Sequence, residues 1–225
     1  MKILCDKYNL EYDFEENKVT VLTIDSSAHF LDFISGLWNQ FNNTEDFLIV
    51  SSNGKEVLIN KIADIISDPF SVNLNNKKIL AKIYHDVIED IQENDFERFS
   101  KIKLEVEQFI INICEKSDFN LNYEPEFEYS DLLKLYDVHI DVVDMDLATK
   151  IINYIHLAHR VLNTSLFIFI NLKSYFSNED LELLYQTLLY EKVTILLIER
   201  YESTKLSFEK HLIIDNDACV IYDKS

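Results

Sequence analysis

Glycine and proline are nearly missing from this chain, with two of each in 225 residues. Loops that wrap a phosphate need glycine where the backbone approaches the ligand or takes a positive φ. Gly36 and Gly54 sit in no such loop, so a glycine-rich nucleotide site is excluded. Cysteine is scarce too. Cys5, Cys114 and Cys219 are odd in number, widely spaced and form no CxxC pair. They read as reduced thiols of a cytosolic protein rather than a disulfide framework. No apolar run approaches the roughly 20 residues that span a bilayer, and the N-terminus MKILCD turns acidic too early for a signal peptide. The expectation is a soluble, cytoplasmic protein with no membrane partner. Positive charge is also in deficit: 21 Lys and Arg against 40 Asp and Glu give a net charge of −19. That balance repels nucleic acid and anionic membranes on average, but leaves room for a local face that concentrates the lysines.

Apolar side chains, by contrast, are plentiful. At 48% hydrophobic and 12% aromatic, the sequence can bury a full core and excludes disorder. The most informative stretch is LFIFINLKSYFSNEDLELLYQTLLYEKVTILLIER, residues 166–200. Its apolar runs at 166–170 and 193–198 show no polar alternation, so both faces of each strand should be covered, as in a parallel sheet. The segment near 178–190 is the helical crossover that parallel strands require. Residues 18–24 (KVTVLTI) predict another central strand. Asp25, Ser26 and Ser27 then cap a helix over 28–41, with Phe30, Phe33, Ile34, Leu37 and Trp38 on one face. This strand–turn–helix lies where a phosphate loop would be, yet its turn reads DSSAH, without glycines or lysine. After the 166–170 strand, Asn171 stands where a catalytic acid would, and an amide neither serves as a base nor holds Mg²⁺ as a carboxylate does. The pattern is an α/β, degenerate P-loop-like head with a parallel sheet and no nucleotide.

A short strand over 47–50 precedes a turn at Asn53-Gly54. From about residue 75 the period changes to helical: Ile79, Leu80, Ile83, Val87 and Ile91, then Phe99, Ile102, Val106, Phe109, Ile110 and Ile113. Two helices joined near Asn94-Asp95 make an antiparallel pair. An acidic connector follows over 118–131, then a short helix over 131–136, a strand over 138–142 and a helix over 146–162. The predicted division is a first head part over 1–74, an inserted α-helical leg with its connector over 75–135, and a second head part over 136–225.

Three groups of residues bear on chemistry. In the connector DFNLNYEPEFEYSD, polar oxygens alternate, which in an extended segment places them on one face. Hard oxygen donors without His or Cys suit Ca²⁺ rather than zinc, whereas a plain acidic loop would be solvated. The spacing matches neither an EF-hand nor a metal-dependent nuclease. His156 and His159 lie one helical turn apart but have no carboxylate nearby in sequence, and Asp215, Asp217 and Glu199 stand isolated near strand ends. Lysines group at Lys77, Lys78 and Lys82, with Lys55 and Lys61 earlier. They are either solubilising side chains paired to Asp86 and Glu89 or contacts for phosphates that read no bases.

The order of elements resembles the Csn-two family of CRISPR-associated proteins, the accessory adaptation protein of type II-A loci. The resemblance runs from VLTIDSSAHFLDFI to HLIIDNDACVIY. It is strongest in LFIFINLKSYFSNEDLELL, then VTILLIERYE, with NKKILAKIYHDVIEDI similar to the family's first leg helix. It implies a homotetrameric ring that binds double-stranded DNA ends through a lysine-lined bore, for which Lys55, Lys61, Lys77, Lys78 and Lys82 are the candidates in this sequence. It also implies Ca²⁺ at the connector, a role in spacer acquisition beside the adaptation integrase and the RNA-guided effector nuclease, and no enzymatic activity. By position the calcium ligands fall on Asn120, Asn122, Glu124, Glu126, Glu128 and Asp131. Asn120 and Asn122 replace acids common in the family, which should weaken the ion's binding, and Asn163-Thr164-Ser165 replaces lysines. The rival readings are an interaction scaffold that touches no DNA and an acidic DNA mimic.

Overall fold

The computed structural model describes residues 1–124 and 127–222. The chain forms two compact units, one of residues 1–74 and 142–225 and one of residues 75–141.

The larger unit opens with strands β1 (Lys2–Cys5), β2 (Leu10–Asp13) and β3 (Val19–Ile24), helix α1 (Ser27–Phe41), strands β4 (Ile49–Ser52) and β5 (Lys55–Val57), a short helix α2 (Ile59–Ile62) and strand β6 (Ala63–Ile66). The smaller unit holds α3 (Lys77–Asn94), α4 (Phe96–Lys116) and α5 (Tyr129–Leu135). The larger unit resumes with α6 (Leu147–Leu162), β7 (Leu166–Ile170), α7 (Asn178–Tyr190), β8 (Thr194–Glu199), β9 (Glu209–Ile214) and β10 (Val220–Tyr222).

Six strands form the central sheet in the order β10-β9-β3-β8-β7-β6. All neighbours are parallel except the β9–β10 edge pair. The unbroken apolar runs follow from this arrangement, because successive side chains of a strand point to opposite faces. Leu22, Ile24, Leu166, Ile168, Ile170, Leu196 and Ile198 enter one core with Phe33 and Leu37 of α1. Val19, Val21, Phe167, Phe169, Ile195 and Leu197 enter the other with Ile151 and Ile155 of α6 and Leu181, Leu184 and Leu188 of α7. A second, antiparallel sheet, β2-β1-β4-β5, adds Ile3, Cys5, Leu10 and Val50 to the α1 side. Its β4–β5 hairpin closes on Asn53 and Gly54, both at positive φ (52° and 73°), as a two-residue turn with right-handed strand twist demands.

Gly36 meets a different demand. A Cβ there would lie 2.5 Å from the Phe47 ring, which itself packs edge-on against Phe33. Gly36→Ala is expected to cost about 1–3 kcal/mol through this overlap, read as a lowered urea midpoint. An unchanged midpoint would mean that the ring has somewhere else to go.

Two expectations change. Residues 138–142 form no strand; instead Tyr84 Oη donates to the Val138 carbonyl at 2.6 Å, and the Asn75 side chain brackets Ile140, donating to its carbonyl and accepting its N–H. Side chains of the smaller unit thus satisfy backbone groups that a ladder would otherwise pair, and this segment stays with that unit. The short helix starts at Tyr129 rather than at 131.

Candidate functional sites

In open α/β sheets ligands gather beyond the carboxyl ends of the strands. Here only Asp25 and Ser26 separate β3 from α1, and Ser26 Oγ accepts the His29 N–H as helix cap. Two residues cannot encircle a phosphate. The neighbouring positions are also taken up internally. The Arg200 guanidinium donates to the Ile24 carbonyl at 3.1 Å. Asn171, held at φ 55° just after β7, accepts the Arg200 N–H through its amide oxygen.

The lysines singled out by sequence all lie at the surface. Lys55 and Lys61 belong to the larger unit, and Lys77, Lys78 and Lys82 to the first turns of α3 in the smaller. Lys82 pairs with Asp86 at 3.1 Å. The partner expected at Glu89 is instead the imidazole of His85, at 3.7 Å. Among the described residues no ion pair holds Lys77 or Lys78. The first turn of α3 carries no acid and its last turn no base, so the helix's charges run against its own dipole at both ends.

In the connector, Asn120, Asn122, Glu124 and Glu128 are exposed, and Glu126 lies outside the described residues. Asp131 Oδ2 accepts the Glu128 N–H at 2.9 Å and Oδ1 accepts from Lys134 Nζ at 3.1 Å. The bond from Glu128, then Lys134, holds the Asp131 carboxyl below its ordinary range. Phe99 of α4 stacks on Tyr129 with centroids 3.7 Å apart and meets Phe127 at 5.8 Å, so the far side of the connector is anchored by aromatic packing. Among the described residues one trio of His and acid groups converges within 4.8 Å: His85, Asp86 and Glu89, all exposed on α3.

Sequence reasoning missed a buried charge cluster in the larger unit. Glu209, at the start of β9, is 1% exposed and Glu199, at the end of β8, 4%. Glu209 accepts from Lys173 Nζ (2.8 Å), His211 Nε2 (2.8 Å), Tyr185 Oη (2.9 Å) and the Leu206 N–H (2.9 Å). Burial alone would raise its pKa, but His211, Lys173 and Leu206 outweigh it and bring the carboxyl down to about 2. Glu199 accepts the Lys173 N–H at 3.0 Å; there burial dominates and lifts its pKa to about 7. Glu199 is therefore not isolated, and neither is His156, whose Nδ1 lies 3.0 Å from Glu191. Asp215 accepts the N–H groups of Asp217 and Cys219 in the β9–β10 turn. These partners stand up to 36 residues apart in sequence, with no short motif to announce them.

The molecule is thus a mixed α/β protein with a mostly parallel sheet, an inserted helical unit and a surface lysine group at a helix N-terminus. Residues 40–218 match the family described as CRISPR-associated protein (Cas_Csn2), and the chain belongs to that family. Its role is CRISPR-associated. Among solved structures, an ATP-binding cassette of an ABC transporter in its ADP conformation is similar at 12% identity and TM-score 0.45, over 91% of this chain and 79% of that one. CbiO1 from Clostridium perfringens, part of an ABC transporter complex, is similar at 10% identity and TM-score 0.45, over 91% of this chain and 76% of its own. Likeness this distant transfers neither ligand nor activity. No helix among the described residues is long and apolar enough to cross a membrane.

Proposed function

We propose that this chain is a non-catalytic, sequence-independent binder of double-stranded DNA ends that acts as a homotetrameric ring in CRISPR spacer acquisition. Its larger unit serves as a degenerate P-loop-like head that takes no nucleotide, and its smaller unit as a leg. The adaptation integrase and the RNA-guided effector nuclease are its partners.

One observation carries the reading: among the described residues no ion pair holds Lys77 or Lys78, which stand at the positive end of an 18-residue helix. A helix N-terminus repels cations by several tenths of a kcal/mol each, and an external anion removes that cost. Phosphate contacts of this kind read no bases and weaken steeply with salt. The two-residue turn after β3 supports the absence of nucleotide chemistry.

Ca²⁺ fits the connector by donor type, since Asn120, Asn122, Glu124, Glu126, Glu128 and Asp131 offer only oxygens. Bound there, the ion would supply positive charge to an acidic segment. Lys134 already partners Asp131 and would have to yield that carboxylate.

The test is a gel shift of linear against closed circular duplex DNA, in Ca²⁺ and in chelator, with calorimetry for ion uptake. A shift confined to linear DNA is expected, with loss on chelation. Equal binding of both forms would replace the ring with a surface patch, and no heat from Ca²⁺ would remove the metal. No binding of either form would favour the interaction scaffold, a reading supported by the exposed Phe96, Leu104 and Phe109 of α4, a helix with no buried residue.

A further inference from the structure

Strand β2 forms one edge of the antiparallel sheet, with β1 on one side and, among the described residues, no strand on the other. Just past it the Phe14 N–H donates to the Met1 carbonyl. Backbone groups alternate in direction along an antiparallel strand, so Leu10, Tyr12 and Phe14 turn inward to β1. Glu11 and Asp13 therefore turn their N–H and carbonyl groups outward.

At Glu11 both outward groups are already taken. The Tyr222 hydroxyl accepts the Glu11 N–H at 3.4 Å and donates to the Glu11 carbonyl at 3.0 Å. Tyr222 belongs to β10, in the other sheet, and stands 211 positions away in sequence. One hydroxyl that takes and gives at the same residue does there what a neighbouring strand would do. An open edge is a template for another strand, and in a four-residue strand this plug leaves Asp13 alone. The plug is lightly held. Tyr222 is 43% exposed, and β10 is a three-residue strand paired with β9.

Charge selects the occupant of this edge. Residues 10–17 (LEYDFEEN) carry four acids and no base. Lys2 pairs with Glu11 and Lys210 with Glu15; among the described residues no ion pair takes Asp13 or Glu16. Glu11 and Asp13 are exposed, while Leu10 and Tyr12 pack into the core. A second copy of β2 would set like charges opposite one another, which is destabilising, whereas lysines there are favoured.

We propose that the β2 edge is a docking strand for a basic, extended segment of a partner protein, which displaces the Tyr222 hydroxyl and adds itself to the sheet beside Glu11 and Asp13. Tyr222 fills the place until that segment arrives. This docking does not depend on the DNA-binding reading.

The test is fluorescence anisotropy of a labelled, alternating Lys-Val peptide with the full chain and with Tyr222→Phe, which keeps the ring and loses the hydroxyl. A second peptide replaces the central valines by proline, so it carries the same charge but cannot complete a ladder. The alternating peptide is expected to bind Tyr222→Phe about tenfold more tightly than the parent, because two hydrogen bonds no longer compete with it. It should also slow exchange of the Glu11 amide, and the proline peptide should not tell the two proteins apart. Equal affinity of parent and variant for the alternating peptide, or binding to neither, would overturn the proposal. An equal gain for the proline peptide would overturn it too, by reducing the effect to charge. Growth of the variant beyond the parent's size without peptide would overturn it by making a second copy of the chain the occupant.

Discussion

Changing Lys77, Lys78 and Lys82 together to Glu is expected to abolish the binding of linear duplex DNA, with a loss of roughly 100-fold or more at fixed salt. The three reversals remove three positive charges and add three negative ones, taking the net charge from −19 to −25, at a helix N-terminus where, among the described residues, Lys77 and Lys78 form no ion pair. Stability should move the other way. Acids in the first turn of a helix are favoured by several tenths of a kcal/mol each, and the exposed Lys82–Asp86 pair given up contributes less than about 1 kcal/mol. The triple variant should therefore melt at or slightly above the parent temperature while failing to shift DNA. A retained gel shift would remove this patch from the DNA surface. Lost binding together with a lowered melting point would mean that the lysines serve the fold instead.

Glu209→Ala should be the most damaging single substitution in the larger unit. It strips Lys173 of its carboxylate in a site where the ammonium is 6% exposed. It also leaves the Tyr185 hydroxyl and the Leu206 N–H without their acceptor. Breaking a buried pair from one side costs about 3–5 kcal/mol, a large part of the ~5–15 kcal/mol that holds a typical protein together. Denaturant unfolding at neutral pH measures it. Adding Lys173→Met to Glu209→Ala should recover part of the loss, since the double variant buries no lone charge. If Glu209→Ala unfolds within about 1 kcal/mol of the parent, the cluster is hydrated.

The sheet was legible in the sequence because its signal is local. A strand covered on both faces must be apolar wherever it is buried, and the runs at 166–170 and 195–198 are. Helix α1 was legible from its apolar face and its cap at Ser26, and α7 as the crossover that parallel strands require; Asp146 and Ser177 also cap their helices by accepting a backbone N–H. The missing phosphate loop was equally plain, because a loop of that kind cannot be built without glycine.

Other features were decided only by the tertiary structure, where long-range partners compete for the same groups. Residues 138–142 carry the apolar pattern of a strand, but Tyr84 and Asn75 take their backbone bonds. In the connector, where the sequence shows only alternating oxygens, the fold supplies the two oxygens of Asp131 with the Glu128 N–H and Lys134 as partners. Glu199, Glu209, Lys173 and His211 look like ordinary surface charges in a linear reading. They become a buried cluster because β8, β9 and the turn after β7 bring them together, and burial gives each of them an electrostatic meaning that no neighbour in sequence supplies.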